Sequence, residues 1–137
     1  MSEAIAYKIG DQLVDTQTAA AQGLQGSPLL FDNSEDSLEV IRHTCAHVMA
    51  QAIKAIYKDA QFFVGPVIED GFYYDFRVSE KITEADLKDI EKKMQEIVKK
   101  KYEIERYQVS KDEVLAKFAN DDLKQEVLLR IPDGNIT

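Results

Sequence analysis

Ser37-Leu38-Glu39-Val40-Ile41-Arg42-His43-Thr44-Cys45-Ala46-His47-Val48-Met49 sets the architecture of this chain. Leu38, Ile41, Cys45, Val48, Met49, Ala52 and Ile56 recur three and four apart, the spacing of one apolar helix face. The spacing predicts a helix over 37–57, with Asp36 or Ser37 as its cap and Glu39 placed where negative charge suits the dipole. At ~100° per residue from Leu38, His43 and His47 fall at roughly 140° and 180°, nearly opposite the apolar stripe. They are poor candidates for buried core histidines. Either they face solvent, or a second element covers them and makes a cleft.

Before this helix, residues 1–33 form a short arm. Ala4–Ile9 and Gln12–Val14 read as strands around Gly10-Asp11, a type II′ hairpin signal. Ala19–Gln22 reads as a helical turn and Gly23–Pro28 as a loop. After it, Gln61–Val64 reads as a strand stopped by Gly65-Pro66. Val67-Ile68 leads to a turn at Glu69-Asp70-Gly71, and Phe72–Val78 is a strand. On that strand Phe72, Tyr74, Phe76 and Val78 share one face, and Tyr73, Asp75 and Arg77 share the other. The polar face either floors a cleft or faces water.

Thr83 with Asp86 three residues on is a capping box for the next helix, whose stripe is Leu87, Ile90, Met94, Ile97 and Val98. Its lysines read as a solvated face. Tyr102–Val109 reads as a strand with imperfect alternation, which suggests a bulge or an edge position. Ser110 and Glu113 form a second capping box, opening a helix with Val114, Leu115 and Phe118. Asn120-Asp121-Asp122 breaks it, and a further helix carries Leu123, Val127 and Leu128. Asn135-Ile136-Thr137 resembles the beginning of a strand. The mixture of elements predicts an α+β fold: a largely antiparallel sheet with helices packed on one face, preceded by the short hairpin arm. Residues 34–137 form the main body.

The chain has 137 residues and a net charge of −8, with 45% hydrophobic and 31% charged residues. That is enough apolar material for one core. An acidic chain is not a general nucleic-acid binder, so any RNA contact has to be local or supplied by other parts of a larger protein. A single cysteine allows neither an internal disulfide nor a four-cysteine zinc site, and suits a reducing cytoplasm. The N-terminus lacks a signal-peptide pattern, and no apolar run reaches ~18 residues, so no membrane span is expected.

His-x-x-x-His on a helix can present two imidazoles to one metal or one substrate. A helical metalloprotease motif needs Glu directly after the first His, and here that residue is Thr44. A closed zinc site needs two further ligands. The chain has no third histidine, and Cys45 falls on the apolar stripe as packed core, so no metal site is expected. On spacing alone the pair is either functional or an exposed surface pair. Lys124 lies near a helix start, where a cation is slightly unfavourable; it either has a task or is an ordinary surface lysine.

Two motifs carry a resemblance. Glu39-Val40-Ile41-Arg42-His43-Thr44-Cys45-Ala46-His47 and Val64-Gly65-Pro66-Val67-Ile68-Glu69-Asp70-Gly71-Phe72-Tyr73-Tyr74-Asp75-Phe76 together resemble the N-terminal region of bacterial threonyl-tRNA synthetases. The helix from Thr83 to Lys101 and the segment Phe118–Leu128 fit as well. The match covers roughly 36–131, and the arm is similar to a shortened ubiquitin-like module. The resemblance implies the first part of an editing domain, which hydrolyses seryl-tRNA-Thr made in error by an ATP-dependent ligase. By motif, His43 and His47 correspond to the family's helix histidine pair. Lys124 corresponds to its editing-site lysine across a short gap, and Tyr73, Tyr74 and Asp75 to its aromatic strand beside the cleft.

The family supplies the rest of the cleft from a later Cys-x-x-x-His segment, which this sequence does not contain. The expectation is therefore a truncated piece, without cofactors of its own. ATP, Mg and a structural Zn would belong to a catalytic domain elsewhere, as would the contacts of a homodimer. The expected partner is the aminoacylated end of tRNA-Thr. The alternative is a non-enzymatic module that grips a tRNA acceptor end or a protein.

Overall fold

The computed structural model describes residues 4–23, 25–103 and 107–131. The fold is α+β, and among the described residues every strand pairing is antiparallel. The pairings fall into one three-stranded and two two-stranded sheets rather than a single sheet. The chain divides into two compact units, residues 1–45 with 67–72, and residues 46–66 with 73–137.

In the first unit, β1 (Ala6–Ile9) and β2 (Gln12–Val14) form the expected hairpin, joined across Gly10-Asp11. Gly10 has φ +61°. Asp11 is not in the left-handed region, and this combination fits a II′ turn rather than I′. Helix α1 (Thr16–Ala21) begins three residues earlier than the sequence suggested, because the Asp15 carboxylate caps it by accepting from Thr18 N–H at 2.8 Å. The stretch read as a loop over Gly23–Pro28 contains part of β3 (Ser27–Leu29), which pairs with β1. Pro28 is tolerated because β3 is an edge strand. The hairpin of β5 (Val67–Ile68) and β6 (Gly71–Phe72) closes over Glu69-Asp70, and Arg42 donates to the Glu69 carbonyl at 2.8 Å.

Helix α2 (Glu35–Ile56) runs through both units and starts two residues before Ser37. Asp32 accepts from the Ser34 N–H and hydroxyl, and the Ser34 carbonyl accepts the Leu38 N–H, so the cap lies upstream of Asp36. The buried residues of α2 are Ser37, Ala46, Ala52 and Ile53. Ile56, expected on the stripe, is exposed.

The second unit packs α2 from Ala46 onward against α3 (Glu84–Lys99) and the strand pair β4 (Gln61–Phe62) and β7 (Phe76–Arg77). Its core is Ala52, Ile53, Ala60, Phe62, Ile90 and Ile97. The strand expected over Phe72–Val78 is broken into β6 and β7. Its alternation survives: Phe72, Tyr74, Phe76 and Val78 face inward, and Tyr73, Asp75 and Arg77 are exposed. The break comes from the opposite strand. Phe63 donates to the Asp75 carbonyl at 2.8 Å, whereas Tyr73 donates to Pro66 at 3.4 Å. Asp75 donates in turn to the Val64 carbonyl at 2.8 Å, so one extra residue enters at Phe63-Val64, opposite Asp75, which is a β-bulge. Gly65 follows the bulge and faces Tyr74 in the shifted register. A Cβ there would lie 2.5 Å from Tyr74 Cδ2.

In α3 the Asp86 carboxylate accepts from the Thr83 N–H at 2.7 Å and its hydroxyl at 2.8 Å. Leu87 and Val98, expected in the buried stripe, are 56% and 62% exposed. The covered face is narrower than the periodic one. Helices α4 (Lys111–Lys117) and α5 (Asp122–Arg130) enclose a second small cluster around Val114 and Leu128. The centre of the strand expected over Tyr102–Val109, at 104–106, and the strand start at 135–137 lie outside the described residues.

Candidate functional site

Helical periodicity determines where the histidines stand. His43 and His47 are both exposed, one turn apart on α2, as their angular position required. Cys45, between them in sequence, is partly buried.

Lys124 is placed by three local features. The Asp121 carboxylate caps α5 by accepting the Lys124 N–H at 3.0 Å. That start sets Lys124 in the first turn of α5 and sends its ammonium to the Phe63 carbonyl at 3.4 Å. Burial lowers the Lys124 pKa below its usual 10.5, and the nearby Asp121 charge partly offsets this.

Phe63 joins Lys124 to the aromatic strand. Its carbonyl receives the ammonium and its N–H goes to the Asp75 carbonyl. Lys124 and the Tyr73-Tyr74-Asp75 strand thus meet across one residue. Tyr73 and Asp75 are exposed; Tyr74 turns inward, its ring edge-on to Phe62 at 5.4 Å. Burial raises the Tyr74 pKa. Tyr74 therefore braces the strand that presents its two neighbours.

A groove of about 620 Å³ opens beside Lys124. Lys54, Lys58 and Lys117 line it with Lys124, and Phe62 and Phe118 contribute its apolar surface. Sequence reasoning did not single out these three lysines. Lys54 and Lys58 stand four apart near the end of α2, and Lys117 ends α4, some sixty residues on. Only folding brings them together.

Among the described residues, no three His, Cys, Asp or Glu side chains converge as metal ligands. Among them, too, no helix is long and apolar enough to cross a membrane.

No protein-family model matches the chain. Individual proteins do. The chain is 63% identical, over all of its length, to the threonine–tRNA ligase of a Sulfurovum species. It is 63% identical over 97% of its length to that of Campylobacter lari, and 61% over 98% to that of Campylobacter jejuni. This chain is homologous to a segment of the threonine–tRNA ligases. It spans 22–23% of the length of these curated relatives. The ligase relationship agrees with the resemblance carried by the helix and hairpin motifs, and extends it through the arm.

Proposed function

We propose that this chain serves threonine–tRNA ligation by removing serine attached in error to tRNA-Thr. Its homology to the ligases over its whole length, with two imidazoles held on the exposed side of α2, is the observation that supports this reading. The need is physical. Serine lacks one methyl of threonine, and a methyl discriminates only about 10- to 200-fold in a single pocket. A second pocket that clashes with the extra methyl admits serine alone.

The reaction is ester hydrolysis. Water attacks the seryl carbonyl carbon, the bond to the ribose oxygen breaks, and the proton lost by water ends on that oxygen. In this reading His43 contacts the terminal adenosine or the ester. His47 supports His43 or binds the water. Lys124, partly withdrawn from solvent, holds water or the developing oxyanion. Tyr73 and Asp75 contact the substrate from the exposed face of their strand, with Tyr74 behind them.

The test is serine release from seryl-tRNA-Thr, by the chain alone and joined to a Cys-x-x-x-His segment from a ligase relative. The joined form should release serine and spare threonyl-tRNA-Thr. Equal hydrolysis of both esters, or tRNA binding with no release in the joined form, would overturn the proposal and favour a binding module.

A further inference from the structure

The groove beside Lys124 is richer in cations than the chain as a whole. The protein carries 25 acidic and 17 basic residues, yet four lysines converge here. Two acidic residues, Asp59 and Asp121, share the lining; each accepts a backbone N–H, and their charges offset part of those on Lys54 and Lys124, which leaves four cations against two anions. Asp59 accepts the Ser79 N–H at 2.7 Å, and Asp121 accepts the Lys124 N–H. Among the described residues none of the four lysines forms a direct ion pair with a carboxylate.

Two of the lysines are fixed to the β4 segment. Lys54 donates to the Ala60 carbonyl at 2.6 Å, and Lys124 to the Phe63 carbonyl. Lys58 and Lys117 are exposed. A groove of about 620 Å³ is of ligand size rather than ion size. Its surface pairs an ammonium set with the partly exposed ring of Phe118, while Phe62 backs it from the core. Lysines tracking phosphates beside a ring that can take a base are the two parts of sequence-tolerant single-strand binding.

We propose that this groove is a binding site for the sugar–phosphate backbone of single-stranded RNA, with Lys58 and Lys117 each neutralising a phosphate. Lys54 and Lys124 set the positive floor, and Phe118 offers a stacking surface. The choice of RNA as the polyanion rests on the proposed function; the location of the site rests on the groove itself.

The test uses this chain and a fluorescein-labelled single-stranded RNA of about twelve nucleotides, within the span such sites cover. Affinity is measured against salt. Each phosphate contact contributes a slope of about 0.7 to log K against log salt for single strands. The K58E/K117E variant should lose about 1.4 of slope, and bind roughly tenfold more weakly or worse near 0.15 M salt. K58A/K117A should lose the same slope with a smaller loss of affinity, which separates lost contacts from added repulsion. K88E/K92E, on the exposed face of α3, makes the same charge change away from the groove and should keep the wild-type slope. An unchanged slope in the groove variants, an equal loss in the α3 variant, or no RNA binding by the wild type overturns the proposal. Competition by AMP as effective as the RNA would also overturn it, because the groove would then hold a mononucleotide. No ester is cleaved in this measurement. Its failure would leave the serine-release test untouched, so the two readings fail separately.

Discussion

The second unit contains two apolar clusters of very different weight. One gathers Ala52, Ile53, Ala60, Phe62, Ile90 and Ile97, with a shell that includes Met49, Tyr74 and Phe76. Among the described residues the other buries only Val114 and Leu128, with Val109, Leu115, Phe118 and Ile131 around them. The large cluster anchors α2 from Ala46 onward, and the small one anchors the helix that carries Lys124. What the small cluster lacks in buried area is supplied by polar ties. Gln61 donates to the Asn120 carbonyl at 3.2 Å and accepts from Arg77, and Arg77 lies 3.7 Å from Asp122. Gln125 donates to the Leu115 and Phe118 carbonyls, both at 2.9 Å. The lesson is that His47 is held by packing and Lys124 by hydrogen bonds, so the two should respond differently to the same perturbation.

The strongest way to break this comparison is truncation of each core. Ile53→Ala, at 2% exposure, should cost about 3–4 kcal/mol of unfolding free energy in a denaturant titration. Leu128→Ala should cost less, about 2–3 kcal/mol, because its site can collapse. Equal losses would mean that the clusters are one cooperative core. Next in size is Gly65→Ala, which must displace the Tyr74 ring and should cost about 1–3 kcal/mol. Ser110→Ala removes the side-chain acceptor of the Glu113 N–H at the start of α4 and should cost about 1 kcal/mol.

Acid should separate the two regions further. The N–H and hydroxyl of Ser110 hold Glu113 below its usual carboxylate range, and those of Thr83 do the same for Asp86. A depressed folded pKa contributes stability that is present above the unfolded value and lost as pH falls through the folded one. As pH falls below the usual carboxylate range, amide protection factors should therefore drop in α4 before α3, since less packing backs α4. The smallest effect concerns Lys124. Its folded pKa is lowered, so the folded state holds its proton less tightly than the unfolded chain, and stability rises as pH climbs through that folded pKa towards 10.5. Lys124→Met should be no less stable than wild type at neutral pH while abolishing serine release. A clear destabilisation would make Lys124 a structural residue.

What was legible in the sequence was local. The exposed position of His43 and His47 follows from a 3.6-residue period, and the boxes at Thr83 and Ser110 from residues three apart. The inward–outward alternation over 72–78 follows from the pleat. What was not legible depended on a partner. The bulge at Phe63-Val64 is an offset between two strands, and neither strand alone declares it. Leu87 and Val98 share the periodic face of α3, but periodicity does not say how wide a neighbour covers it. β3 was hidden because Pro28 reads as a loop residue until an edge position is known. Lys54, Lys58 and Lys117 become a groove only when segments sixty residues apart meet. The roles proposed for the histidines and Lys124 rest on motif resemblance.

The most direct test of the account is the initial rate of serine release from seryl-tRNA-Thr by the joined form, comparing wild type with His43→Ala. The account predicts a fall of about 100-fold or more, with folding unchanged. An unchanged rate in a folded variant would contradict it.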